Sequence, residues 1–151
     1  MIIAIDPGKS GGCVLAADGF LEAVPWKSPE QMAAKLERHP IQRAYIEHVF
    51  GTPTLTHGKV FEFGRNLGQW EGILQVLSVQ LNYVKPRTWQ FPLKIYERNY
   101  TKRKSALLKV AKQEFSDLGR VTLATCDAWL ILEWAIKNDP TCKDLESILT
   151  P

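Results

Sequence analysis

No stretch of this chain approaches the roughly 18 consecutive apolar residues that a membrane-spanning helix needs. The apolar run at the N-terminus, Met1–Ile5, is too short for a signal peptide, and no basic segment precedes it. No secretory leader and no membrane partner are expected. Cysteine is scarce. Cys13, Cys126 and Cys142 are odd in number and far apart, which excludes a disulfide framework, and no metal-ligand spacing joins them. A reducing, cytoplasmic setting is the expectation. Internal repeats and low-complexity segments are lacking, as is the Gly-x-x-x-x-Gly-Lys-Ser/Thr loop of the P-loop nucleotide binders. Charge of one sign is not in large excess either. The formal net charge is +3, which permits a nucleic-acid partner without establishing one.

What is there is a chain of 151 residues, 45% hydrophobic and 23% charged, ordinary for a globular protein with a real core. One domain over 1–151 is expected. Met1–Ile5 reads as a buried β-branched strand, and Gly12–Ala17 as its antiparallel partner after a glycine turn. Asp18-Gly19 is a hairpin signal, so Phe20–Val24 is a third strand. Ser28-Pro29-Glu30 opens a helix to about Arg38, with Ser28 as N-cap and Pro29 at the first helical position. Ala44–Ile46 is a short strand ending at Glu47, and Val49–Gly58 is a loop. The pattern from Val60 to Leu77 is helical. Its Gly64, Gly68 and Gly72 share one face and permit close packing. Leu81–Val84 is another strand. Thr101–Phe115 and Cys126–Lys137 are helices, with a short terminal helix at Lys143–Leu149. An antiparallel meander followed by crossovers predicts an α/β class, a mixed β-sheet flanked by α-helices, and the order resembles the ribonuclease H-like architecture.

The most informative feature is the acid that ends the first apolar run, in Ile3-Ala4-Ile5-Asp6-Pro7-Gly8. A carboxylate at the end of a buried strand is costly unless a positive group sits against it. Glu47 ends another predicted strand, and Asp127 opens the last long helix. Each has a plainer reading on its own: Asp6 capping the turn, Glu47 exposed at a strand end, Asp127 favoured by the helix dipole. Together the three match a divalent-cation site, which needs hard oxygen ligands and open positions for water and phosphate. Two such ions about 4 Å apart activate a water and stabilise the leaving oxygen in phosphodiester hydrolysis.

Here the residues reach a known family. Ile3-Ala4-Ile5-Asp6-Pro7-Gly8 resembles the opening of RuvC-type Holliday junction resolvases, members of the ribonuclease H-like superfamily. Ile46-Glu47-His48-Val49-Phe50 is similar to a later segment of that family, in which an aromatic follows the strand-ending acid by three residues. Leu67-Gly68-Gln69-Trp70-Glu71-Gly72 resembles its Leu-Gly-Gln helix segment, and Asp127-Ala128-Trp129-Leu130-Ile131 its C-terminal Asp-Ala-x-x-Ile helix. Val84-Lys85-Pro86-Arg87-Thr88-Trp89 is similar to a segment of short, phage-borne relatives. The resemblance runs in order along nearly the whole chain. It implies a homodimeric, Mg²⁺-dependent endonuclease (Mn²⁺ being the other candidate ion) that nicks opposing strands of a four-way or branched DNA junction. It would work in the cytoplasm, the host's if the chain is phage-encoded. It implies Asp6, Glu47 and Asp127 as ligands of two ions, with Asp6 bridging. Phe50 is implied as the aromatic that stacks on a base near the crossover. One departure stands out: where the family has a fourth metal-binding residue, one turn before the C-terminal acid, this chain has Ala124.

Lys102-Arg103-Lys104 opens a helix, where positive charge opposes the dipole. A phosphate partner would account for it, as would a solvated basic face. The family has catalytically needed lysines in this region, and Lys102 and Lys104 are the matches. Lys59, Arg65, Lys85, Arg87 and Arg103 are further candidates for tracking a DNA backbone. His48 and His57 lie near the acids, and each reads as a loop histidine before a general base. Trp70, Trp89, Trp129 and Trp134 read as core. Rival classes are a non-cleaving junction-binding protein, suggested by Ala124, and another ribonuclease H-like nuclease acting on a different nucleic acid. The actin-like ATPase fold shares the acid-turn opening but needs two domains, for which 151 residues are too few.

Overall fold

Strand β1 (Ile2–Asp6) is buried along its whole length, which is why its sequence is a continuous apolar run and not an alternation. It sits at the centre of a five-stranded sheet of order β3-β2-β1-β4-β5. β2 (Gly12–Ala17) and β3 (Phe20–Pro25) extend it antiparallel on one side. β4 (Arg43–Glu47) and β5 (Gln80–Val84) extend it parallel on the other. The mixed sheet and its flanking helices are the expected class. The computed structural model describes residues 1–48 and 56–149. Phe50 and most of the expected 49–58 loop lie outside the described residues.

Two apolar layers enclose the sheet. On one face, Ile3, Ile5, Leu15 and Ile46 pack against Met32 and Leu36 of α1 (Pro29–Leu36) and Trp70 and Leu74 of α2 (His57–Val76). On the other, Ala4, Val14 and Tyr45 pack against α4 (Tyr100–Phe115) and α5 (Cys126–Asn138). α5 is the central helix. Its residues 126–132 are all buried, and it lies between α4 and strands β1, β2 and β4. Phe115 stacks on Trp129 at 5.2 Å between ring centroids. Gly119 lies so close that an added Cβ would stand 3.1 Å from the same indole.

Caps set the helix starts. Ser28 accepts from the Gln31 amide with Pro29 following it, Thr56 accepts from Lys59, and Asn99 accepts from Lys102. Two elements differ from expectation. A five-residue helix, α3 (Pro86–Gln90), and a 3₁₀ turn (Phe91–Leu93) follow β5; they are too short to show periodicity in sequence. The C-terminal segment is a 3₁₀ helix from Pro140 to Leu149, starting three residues before the short terminal helix expected at Lys143–Leu149.

Candidate active site

β1 and β4 are parallel neighbours, with Ala4 beside Tyr45 and Ile5 beside Ile46. Their next residues, Asp6 and Glu47, therefore end adjacent strands. Side chains alternate along a strand, so Asp6 shares a face with Ala4 and Glu47 with Tyr45, the face that α5 covers. Asp127 enters from the first turn of α5. All three carboxylates are buried. The turn after β1 is tight by construction: Gly8 has φ +143°, and a Cβ on Gly11 would stand 2.1 Å from the Asp6 carbonyl oxygen.

Among the described residues, one cation is paired with these acids. The Lys104 ammonium, from the first turns of α4, lies 2.7 Å from Asp127 Oδ2 and 3.2 Å from Asp6 Oδ2. The Trp89 indole of α3 donates to Glu47 Oε1 at 2.9 Å. The Cys126 thiol donates to Asp127 Oδ1 at 3.2 Å. Burial, then the Asp127 charge, push the Asp6 carboxyl well above the usual carboxylate range, and Lys104 pulls it back only in part. Glu47 is pushed up in the same direction by burial, then by Asp6 and Asp127. Burial alone would lower Lys104, yet the Asp6 and Asp127 charges hold its ammonium above the ordinary lysine range. Burial and Asp127 push the Cys126 thiol up to about 12, so it is held as a neutral donor.

The donor set fits hard divalent cations in chemistry: three carboxylates against one ammonium leave unbalanced negative charge in a buried place. Among the described residues, no three His, Cys, Asp or Glu side chains stand as ligands of one ion. The Lys104 ammonium takes the position between Asp6 and Asp127. Ala124 lies in the turn before α5, which begins only at Cys126. Glu133, the next acid along α5, pairs with Lys137 on an outer face and is no replacement.

Of the remaining candidates, Lys102 is exposed, two residues from Lys104, and its backbone amide serves the Asn99 cap. Lys59, Arg65, Lys85 and Arg87 are all exposed. Arg65 pairs with Glu62, and the Arg103 guanidinium lies over the Tyr100 ring. The His48 ring packs against Tyr83, and His57 is exposed at the start of α2. Trp70 and Trp129 are core, and Trp134 is partly buried. Trp89 is buried too, but it also holds Glu47, a role the sequence reading missed. The helix that Lys85-Pro86 opens directly after β5 brings the indole to the neighbouring strand end, a partner that nothing local in the sequence names.

No protein-family model matches the chain, and no curated protein matches it. Solved structures do. The structure of T. thermophilus RuvC in complex with Holliday junction substrate superposes with a TM-score of 0.60 at 13% identity, covering 91% of this chain and 96% of that one. A second, the Thermus thermophilus RuvC structure, gives 0.54 at 14% identity over 90% and 95%. The fold is that of RuvC, a ribonuclease H-like fold.

Proposed function

We propose that residues 1–151 form a single nuclease domain that cleaves four-way or branched DNA junctions by metal-dependent phosphodiester hydrolysis. One observation carries the reading: carboxylates at the ends of two adjacent parallel strands and a third at the start of α5 are buried together, with Asp6 and Asp127 paired to Lys104, on the RuvC fold. RuvC itself has been solved with a Holliday junction substrate. Asp6, Glu47 and Asp127 would hold Mg²⁺ or Mn²⁺. When bound, such ions lower the pKa of an attacking water and stabilise the leaving oxygen.

The chain's own residues do the rest. Trp89 fixes one oxygen of Glu47 and so orients that carboxylate. Lys104 offsets part of the charge of Asp6 and Asp127 before substrate arrives, and its ammonium would meet a scissile phosphate. Exposed Lys102, Lys59, Lys85 and Arg87, with half-buried Arg103, supply positive charge for the DNA backbone, and Phe50 is the candidate stacking aromatic. A homodimer would set two sites on opposing strands. Work in the cytoplasm, the host's for a phage-encoded chain, belongs to the same reading.

Ala124 favours one other reading, a protein that binds junctions without cutting them. Nicking of an end-labelled four-way junction with Mg²⁺ or Mn²⁺, against linear duplex and an RNA–DNA hybrid, separates the alternatives. Junction-selective nicks support the proposal. Tight binding without nicks makes the chain a binding protein, and preference for the hybrid makes it a different ribonuclease H-like nuclease.

A further inference from the structure

On the α2 side of the sheet, behind the turn that carries Asp6, lies a cleft of about 330 Å³. Lys9 of the β1–β2 turn, Trp26 and Lys27 of the β3–α1 link, and Glu62, Arg65 and Asn66 of α2 line it. Asn66 is only 3% exposed. Its Oδ1 accepts from the Gly8 amide at 2.6 Å, which fixes the orientation of the side chain and makes Nδ2 the remaining donor. That buried Nδ2 has no partner among the described residues. A buried donor left unpaired in a folded protein asks for an acceptor. The surrounding charge says which kind. Lys9, Lys27 and Arg65 stand against the single carboxylate of Glu62. Glu62 holds Lys9 at 2.5 Å and Arg65 at 3.0 Å, while exposed Lys27 pairs with no carboxylate among the described residues. The wall is firm: the Trp26 ring packs on Trp70 at 4.8 Å between centroids, and the Trp26 amide donates to the Gly11 carbonyl.

We propose that this cleft is a seat for a backbone phosphate of the nucleic-acid strand that runs past the Asp6 turn, held by Asn66 Nδ2 and Lys27, with Lys9 and Arg65 around it. A phosphate brings several acceptor oxygens and negative charge, which a neutral ligand would not. The seat is separate from the carboxylates: Asp6 faces α5, and the cleft opens on the other side of the same turn. The Gly8–Asn66 hydrogen bond links the two, so a phosphate in the cleft fixes the strand relative to the cleavage centre. The inference rests on the reading of the chain as a nucleic-acid-binding protein.

The test follows the Asn66 side-chain amide by ¹⁵N NMR while the full chain is titrated with four-way junction DNA, and separately with inorganic phosphate. Junction affinity is measured alongside across a salt series for the parent, Lys27→Ala and Glu62→Gln, both surface changes. The expected result is a shifted Asn66 amide on adding junction DNA. Lys27→Ala flattens the log–log salt slope by about 0.9, the loss of one phosphate contact. Glu62→Gln tightens binding several-fold by removing the one repulsive charge. If the junction binds but the Asn66 amide stays still and the slopes are identical, the phosphate seat is wrong while the nuclease reading stands. If Asn66 responds to inorganic phosphate alone, the cleft takes a free anion and not a strand. If the parent binds no nucleic acid at all, the nuclease reading fails and the strand seat falls with it.

Discussion

At the scale of single residues, the site is an ion pair with too many acids. Asp6, Glu47 and Asp127 are buried together, and Lys104 offsets only part of their charge. Asp6→Asn removes a charge that cations would need while sparing every surface lysine. Nicking of a labelled junction is therefore expected to fall by at least roughly 100-fold, the upper end for residues that merely support a metal site. Junction binding in gel-shift titrations should stay within a few-fold, and near-normal nicking by this variant would sink the metal reading. Lys104→Met makes a complementary case. Truncating one partner of a buried ion pair costs roughly 3–5 kcal/mol, because the carboxylates are left uncompensated. The metal-free variant should melt well below the parent, and saturating Mg²⁺ should recover more of the loss in the variant than it adds to the parent. A variant as stable as the parent without metal would show that Lys104 does not neutralise the site. The acids were legible in sequence because each terminates or opens an apolar run. Lys104 over Lys102 was not, since choosing between them needs the rotation of α4 about its axis. Trp89 was legible only as a core indole, because nothing local to it names Glu47, 42 residues away.

At the scale of elements, legibility followed punctuation. The fully buried β1, the glycine turn after Asp6 and the Ser28-Pro29 start of α1 all carry local signals and appear where expected. α2 starts at His57, ahead of the expected Val60, because Thr56 caps it. The strand bounds at Arg43–Glu47 and Gln80–Val84 grew by a residue or two because pairing to neighbours extends them. The C-terminal segment was the least legible, because its anchor is tertiary. Tyr45 Oη donates to Asp139 Oδ2 at 2.6 Å, and the Thr141 amide and hydroxyl donate to Oδ1. These bonds tie β4 to the residues that leave α5, and they hold the Asp139 carboxyl down to about 2, first through Thr141 and then Tyr45. The folded pKa lies below the unfolded value of about 3.9. The stabilisation is thus complete above about pH 4 and is lost as pH falls through 2. Asp139→Asn should lower the thermal midpoint at pH 7 by an amount that shrinks on acidification between pH 4 and 2. With Asp139 only partly buried, the loss at neutral pH should be about 1 kcal/mol. Thermal scans at several pH values check this, and a penalty independent of pH would show that the Asp139 charge is not what the clasp uses.

At the scale of the whole molecule, the glycine face of α2 stands open among the described residues. An added Cβ at Gly64, Gly68 or Gly72 would meet nothing within 4 Å. At the two ends of the same face, Phe61 is 68% and Val76 84% exposed. Glycines four apart let two helices approach closely, and the flanking apolar side chains would supply the area such an approach buries. A four-way junction is two-fold symmetric, and a two-fold homodimer sets two cleavage centres on opposing strands with one self-complementary surface. The α2 face is the candidate for that surface. Gly68→Leu should leave the monomer's fold and melting behaviour near the parent's, because the new side chain enters open space. It should nevertheless block close helix approach, as should Val76→Glu by placing a charge in the contact. Sedimentation velocity at micromolar concentration is expected to show a dimer for the parent and a monomer for either variant. Paired nicks on one junction should then give way to single, uncoupled nicks while the rate per site changes little. A parent that sediments as a monomer with and without junction DNA would remove α2 as an interface and leave the exposed glycine face unexplained.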